Sequence, residues 1–353
     1  MAARTSVTTV SELIEDGLAT AQDAAVLNQV TARFKLRITP EMRNVMDSSG
    51  VIDGPTGPVA AQFLPDPREL VTRPEELHDP IGDRAHAPVR GLTHRYRDRV
   101  ILHATQTCEV YCRFCFRRET VGGEGALPED DLARALAYIA ATPTIWEVIL
   151  TGGDPLVLSP RRLSWLIARL ADIRHVEVVR FHTRVPVVAP QKVTAAMAQA
   201  MQSRLTPYLV IHTNHADELT PDARAALARL AQGGVTLLSQ TVLLRGVNDN
   251  AETLGALFRA LICNRVKPYY LHHCDLARGT SHFRTTIAEG QAIMAALRGR
   301  FSGLCLPTYV LDIPGGNGKV PVGPGYLHPI GPGQWQVTDP QGTQHSYADP
   351  QRE

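Results

Sequence analysis

The sequence predicts an α/β protein built on a partial (β/α)6, TIM-like barrel. Three observations carry that prediction. From about residue 99, apolar runs of strand length alternate with amphipathic helical faces about six times. No G-x-G-x-x-G loop follows the first run, which argues against an open dinucleotide-binding sheet. A cysteine run stands there instead, and further polar motifs fall after later strands, the side on which parallel barrels build their sites.

In chain order, residues 1 to about 60 read as short helices, with Val10, Leu13, Leu18, Ala25, Leu27 and Val30 as candidate buried positions. Residues 54–90 carry Pro55, Pro58, Pro65, Pro67, Pro74, Pro80 and Pro88, too many for regular structure, and are expected to form a connector wrapping the next domain. Strands are expected at Val100–Leu102, Val148–Leu150, Val176–Phe181, Tyr208–Ile211, Val235–Leu238 and Pro268–Leu271. Between them, Leu132/Leu136/Ile139, Leu163/Ile167/Leu170 and Leu254/Phe258/Leu261 repeat at i, i+4, i+7, one face of a helix. Ser159-Pro160 and Thr220-Pro221 each place a capping hydroxyl before a proline at the first helical position. The expected division is an N-terminal helical region and connector over 1–95, the barrel over 96–283, and a C-terminal helix with a lysine-bearing turn over 284–353.

A chain of 353 residues can bury one large α/β core with appendages, and a formal charge of +1 offers no broad field for nucleic acid or an acidic membrane surface. Six cysteines at this length do not make a disulfide scaffold, and clustered thiols need a reducing compartment, so a cytoplasmic protein is expected. The N-terminus carries acids early and lacks an apolar h-region, and no apolar run approaches bilayer length.

The sharpest motif is Cys108-Glu-Val-Tyr-Cys112-Arg-Phe-Cys115. Three thiolates can hold a [4Fe–4S] cluster and leave one iron without a protein ligand, which is an arrangement for chemistry rather than electron carriage. The alternatives are a zinc knuckle or buried free thiols; zinc sites usually pair C-x2-C with a second Cys/His pair, and none is evident. Gly152-Gly153-Asp154-Pro155 follows the second strand; alone it is a plain turn, but adjacent glycines also let a ligand approach the backbone. His182-Thr183-Arg184 and His212-Thr213-Asn214-His215 end the next two strands, and Gln240 lies on the fifth. Isolated, each reads as an ordinary satisfied polar residue. His272 and His273 are adjacent on a strand, so they face opposite ways and cannot share one metal, while Asp275 can meet a cation or cap a turn. Near the C-terminus, Asp312-Ile313-Pro314-Gly315-Gly316-Asn317-Gly318-Lys319 is no Walker A loop, because Ile313 and Val320 stand where glycine and Ser/Thr are required. It reads as a glycine turn ending in a solvated lysine, or as a lysine held for a Schiff base with pyridoxal phosphate, with Arg95 and Arg99 available to the phosphate.

Together these residues closely resemble the lysine 2,3-aminomutase family of radical S-adenosylmethionine enzymes. The likeness runs from Pro88-Val89-Arg90-Gly91-Leu92-Thr93-His94-Arg95-Tyr96 to Tyr347 and includes Leu243–Asp249 and His282–Thr285. The triplet alone marks the superfamily; triplet, GGDP and PGGNGK together mark the aminomutases. The resemblance implies a radical SAM barrel, an isomerase converting L-lysine to β-lysine, and three cofactors: a [4Fe–4S] cluster, S-adenosylmethionine and pyridoxal 5′-phosphate. By position it implies Cys108, Cys112 and Cys115 as cluster ligands, and Gly152, Gly153, Asp154, His212 and Gln240 at S-adenosylmethionine. It implies Lys319 as the pyridoxal phosphate lysine, with Arg95 and Arg99 near the phosphate. Arg117 is implied at the substrate carboxylate, and Asp275 and Asp312 at the far ammonium of lysine, where glutamate would be repelled.

Free-lysine enzymes of the family carry zinc-binding cysteines in a C-terminal tail and one in the barrel. Here no cysteine follows Cys305 and Asn250 stands at the barrel position, so the short form without the zinc site is expected, and zinc-dependent assembly is not. A short branch of the family makes β-lysine for attachment to elongation factor P, and a 2,3-aminomutase of another amino acid is a further alternative. The implied partners are L-lysine and an electron donor such as flavodoxin or ferredoxin, with no nucleic acid and no membrane. Two rivals from other classes are a non-catalytic zinc or iron–sulfur protein and an ordinary pyridoxal phosphate enzyme with incidental cysteines.

Overall fold

The computed structural model describes residues 5–47 and 57–350. Helices α1 (Val10–Glu15), α2 (Ala24–Arg33), α3 (Pro40–Asp47) and α4 (Ala60–Phe63) open the chain. Thr9 caps α1, accepting from Glu12 N at 3.2 Å, and Val10, Leu13, Leu18, Leu27 and Val30 are buried as expected. Ala25 is exposed instead: two residues before Leu27 it falls on the opposite face of α2.

Strand β1 (Leu92–Tyr96) turns into β2 (Arg99–Thr105), and α5 (Glu129–Ala140) leads to β3 (Glu147–Gly152). There follow α6 (Pro160–Ala171), β4 (Val178–Thr183), α7 (Val185–Val188), α8 (Ala195–Ala200) and β5 (Thr206–His212). Then come α9 (Pro221–Gln232), β6 (Thr236–Val242), α10 (Ala251–Cys263), β7 (Lys267–His272), α11 (Ile287–Leu297), β8 (Thr308–Asp312) and β9 (Lys319–Pro321). These strands form one nine-stranded sheet in the order β1 to β9, with β2 through β8 parallel and β1 and β9 antiparallel at its two edges. The sheet is a curled partial barrel. The six expected strands are β2 to β7; β8 is a seventh parallel member, and it brings the lysine-bearing turn onto the sheet edge.

Strand periodicity separates core from site. Val148, Leu150, Val179, Phe181, Leu209 and Ile211 face the helices and are buried, packed by Leu163, Ile167 and Leu170 of α6 and their counterparts on the other helices. The alternate residues Glu147/Ile149/Thr151, Arg180/His182, Leu238/Gln240/Val242, Tyr270/His272 and Val310/Asp312 line an interior cavity. Ser159 and Thr220 cap α6 and α9 as expected, each accepting at 3.2 Å. Asn250 caps α10, accepting from Thr253 N at 2.8 Å.

The proline-rich connector holds 3-10 turns at Pro67–Leu70 and Arg84–His86, and Pro55 lies outside the described residues. It runs against the barrel at both ends of the site. Glu69, fully buried, takes Arg113 (Nε at 3.0 Å, Nη2 at 2.6 Å) and Arg118 from the cysteine loop. Farther along, the Pro80 carbonyl accepts from Gly315 N at 3.1 Å. Strands β10 (Leu327–Gly331), β11 (Gln334–Thr338) and β12 (Gln344–Ala348) form a separate, largely exposed antiparallel sheet.

Candidate active site

The loop between β2 and α5 carries Cys108, Cys112 and Cys115, all facing the cavity. Burial raises the Cys108 thiol well above its ordinary value and pushes Cys115 up to about 11, with the neighbouring thiols adding to it. Bare thiolates are therefore costly here, and a cationic iron cluster is the kind of group that would hold them deprotonated. Arg184, on the turn after β4, donates to Cys112 Sγ at 2.8 Å and is itself held by Glu218 at 2.7 Å. Among the described residues, no three His, Cys, Asp or Glu side chains converge closely enough to share one ion. A four-iron cluster takes each thiolate on a different iron and does not ask for that convergence.

The glycine pair exists because β3 ends against this loop. A Cβ on Gly153 would lie 2.4 Å from the Thr107 carbonyl oxygen, and one on Gly152 would lie 2.5 Å from His103 Nδ1, with φ at +110°. The close approach lets Gly153 N donate to Thr105 O at 2.7 Å and Asp154 N to Thr107 O at 2.9 Å. The Asp154 carboxylate accepts from Thr183 Oγ1 at 2.6 Å, Arg184 N at 2.7 Å and Leu156 N at 3.0 Å, so it braces the ends of β3 and β4. Burial raises its pKa against the pull of those donors.

His212 and Gln240 sit side by side in register on β5 and β6. His182 and His212 both point a buried Nε2 without a hydrogen-bond partner, and burial holds both rings well below the usual imidazole range, hence neutral. Unsatisfied buried polar atoms at successive strand ends mark a place where a ligand completes the bonding.

At the other side of the cavity, the glycine turn before β9 is closed by Ile313 N donating to Gly318 O at 2.8 Å. Antiparallel pairing then sets Lys319 opposite Asp312. Lys319 Nζ touches Asp312 Oδ2, lies 3.2 Å from His272 Nδ1, and stands 5.4 Å from the centre of the Tyr270 ring. Burial works to raise the Asp312 pKa, but the Lys319 ammonium on Oδ2, with the His272 ring beside it, outweighs burial and holds the carboxyl well below its ordinary range. Asp275 has no such donor; burial and the neighbouring Asp312 push it up to about 7.

The arginines expected here differ in state. Arg95 is buried with Nε and Nη1 lacking hydrogen-bond partners, its nearest acids being Asp83 at 3.7 Å and Asp312 at 4.0 Å. Arg99 stacks 3.9 Å above the Tyr96 ring and pairs with Asp98 at 2.6 Å. Arg117 donates to Asp83 at 2.7 Å.

All fourteen predicted site residues line this one cavity of about 880 Å³. Several others there were not singled out from sequence. Asp83 stands behind the lining, bonded to Arg117, and comes from the connector, where no periodicity marks it. Arg180, paired with Glu147 at 2.8 Å, and the stacked Tyr269 and Tyr270 sit on strand interiors that read as core. His272 and His273 do face opposite ways, the latter bonding to Tyr309 at 2.7 Å.

Comparison with known proteins agrees with this geometry. The radical SAM superfamily profile matches residues 102–257 and the lysine-2,3-aminomutase profile residues 294–353. L-lysine 2,3-aminomutase from Clostridium subterminale is 40% identical over 92% of this chain and 77% of its own length. The Bacillus subtilis enzyme of the same name is 37% identical over 91% and 68%, and glutamate 2,3-aminomutase from Clostridioides difficile 34% over 92% and 75%. Sharing identity with such relatives over nine-tenths of its length, the chain belongs to the lysine 2,3-aminomutase family of radical SAM enzymes.

Proposed function

We propose that this protein is a 2,3-aminomutase that converts L-lysine to β-lysine by moving the α-amino group to the β-carbon. The observation that carries the reading is one cavity holding the cysteine triplet, the glycine strand end and Lys319 together. At about 880 Å³ it lies near the top of the roughly 300–1,000 Å³ span of small-molecule sites. When bound, the [4Fe–4S] cluster and S-adenosylmethionine supply a hydrogen-abstracting radical, and pyridoxal phosphate supplies the π-system through which nitrogen migrates.

The chain's own residues bind, orient and exclude water. Cys108, Cys112 and Cys115 would hold the cluster, with Gly152, Gly153, His212 and Gln240 presenting backbone and side-chain groups to S-adenosylmethionine and Asp154 fixing that wall. Arg95, with two unpartnered buried donors, would take the phosphate with Arg99 beside it. Arg117 would meet the substrate carboxylate, sharing its charge with Asp83. Asp275 and Asp312 select the far end of the substrate. In this structure the Lys319 ammonium already rests on Asp312, and it stands in for the ammonium of a lysine substrate. A side-chain carboxylate in its place would be repelled by Asp312, which favours lysine over glutamate.

An external one-electron donor of the flavodoxin or ferredoxin class would reduce the cluster to start the redox-neutral isomerisation, and the thiol cluster fits a reducing cytoplasm. Among the described residues no helix is long and apolar enough to cross a membrane. The product is either released or loaded onto elongation factor P.

The test is an anaerobic assay of reconstituted protein with dithionite, S-adenosylmethionine, pyridoxal phosphate and either L-lysine or L-glutamate, read by mass spectrometry. β-Lysine, absent in Cys112→Ala, is expected. β-Glutamate without β-lysine would replace the substrate, and no product from an intact cluster with bound cofactor would overturn the reaction.

A further inference from the structure

One buried group at Lys319 has no part in the reading above. His272 closes β7, with Nδ1 at 3.2 Å from Lys319 Nζ and 3.3 Å from Asp312 Oδ2, while its Nε2 is buried in the cavity wall without a partner. We propose that His272 takes the proton from the Lys319 ammonium, freeing the amine to condense with the carbonyl of pyridoxal phosphate. This rests on the assignment of Lys319 as the residue that carries that cofactor.

An ammonium has no lone pair with which to attack a carbonyl. Only two acceptors touch this one: the Asp312 carboxylate and the His272 ring. Asp312 is held ionised by its neighbours, so it steadies the ammonium rather than accepting its proton. To receive a hydrogen bond from Lys319, Nδ1 must present its lone pair, which leaves the ring proton on Nε2, the buried nitrogen without a partner. Transfer breaks Nζ–H and forms Nδ1–H, turning a lysine–aspartate pair into a histidine–aspartate pair across the 3.3 Å contact. The net charge is unchanged, so the buried imidazolium is not left alone. The amine lone pair then forms the C–N bond, water leaves with the carbonyl oxygen, and the proton on Nδ1 returns to the imine nitrogen.

The charged and titratable groups around the ring are Asp312 on β8, Lys319 on β9, Tyr270 on β7, and His182 and His212 on β4 and β5. Burial first, and then the Lys319 charge, lower the pKa of His272, with Asp312 opposing them, so the ring is neutral and able to accept.

The test follows covalent uptake of pyridoxal phosphate by the apoprotein, by absorbance and by borohydride trapping with peptide mapping, as a function of pH. In His272→Asn the rate at neutral pH is expected to fall roughly a hundredfold, the lower range of general acid–base contributions. Raising the pH should recover it, and added imidazole should rescue His272→Ala. Pyridoxine phosphate, which has no carbonyl, should bind wild type and variants alike. An unchanged rate and pH profile in His272→Asn, with wild type trapped at Lys319, would overturn the proposal alone. Wild type trapped at another lysine, or at none, would overturn the assignment of Lys319. Independently of variant folding, side-chain 15N shifts in the wild-type apoprotein should show the His272 proton on Nε2; a proton on Nδ1 would count against the proposal.

Discussion

At the scale of single residues, the two acids proposed to face the substrate ammonium are shifted in opposite directions, and that difference has a consequence for pH. Asp312 is ionised beside Lys319 and His272, whereas Asp275 is raised to about 7 by burial and by Asp312 itself. A lysine ammonium at this position favours the ionised form of Asp275, so binding lysine expels a proton wherever Asp275 is protonated beforehand. Lysine affinity should therefore rise with pH up to about 7, by as much as roughly tenfold per pH unit below that point, and level off above it. Measured as KM for lysine from pH 6 upward, the slope should vanish in Asp275→Asn. A wild-type KM indifferent to pH would contradict the assigned protonation state.

At the scale of elements, the site depends on how closely β3 can end against the cysteine loop. Gly153 leaves no room for a side chain, since its Cβ would fall 2.4 Å from backbone that carries Thr107 and leads directly to Cys108. Gly153→Ala must displace one of the two segments, and the hydrogen bonds from Gly153 and Asp154 to that loop go with it. The expected outcome is a protein that binds substoichiometric iron after reconstitution while Lys319 still takes up pyridoxal phosphate. Full iron loading would show that the loop tolerates the shift. The antiparallel β8–β9 pair acts in the same way at the far end, because register alone sets Lys319 across from Asp312.

At the scale of the whole molecule, the connector is what joins the two ends. Its Glu69 lies under the cysteine loop, its Asp83 holds Arg117, and its Pro80 carbonyl ties down the glycine turn. Glu69 is one anion facing two buried cations, and burial together with Arg113 lowers the Arg118 pKa to about 10 despite the carboxylate. Removing its charge leaves both guanidiniums uncompensated, a loss of about 3–5 kcal/mol. Glu69→Gln should lower the thermal midpoint clearly by calorimetry and speed loss of the cluster on dilution. An unaltered midpoint would show that the network contributes little.

The barrel, and most of the residues that gather in the candidate site, were legible in the sequence alone. Strand and helix periods are local properties of the chain, so β2 to β7 and their covering helices could be read directly, as could the Ser159 and Thr220 caps. The cysteine spacing, GGDP and the glycine turn before Lys319 were legible for the same reason: each is a short motif whose chemistry is carried by neighbours in sequence. Only the tertiary structure decided which residues meet across long separations. Asp83 on Arg117, Glu69 under Arg113 and Arg118, His272 against Lys319, and Arg184 on Cys112 are pairings between segments dozens of residues apart. Nothing local marks them. An acid in a proline-rich stretch or a histidine at a strand end has the same sequence signature whether it faces water or a buried cation, and only packing settles which charges are forced together.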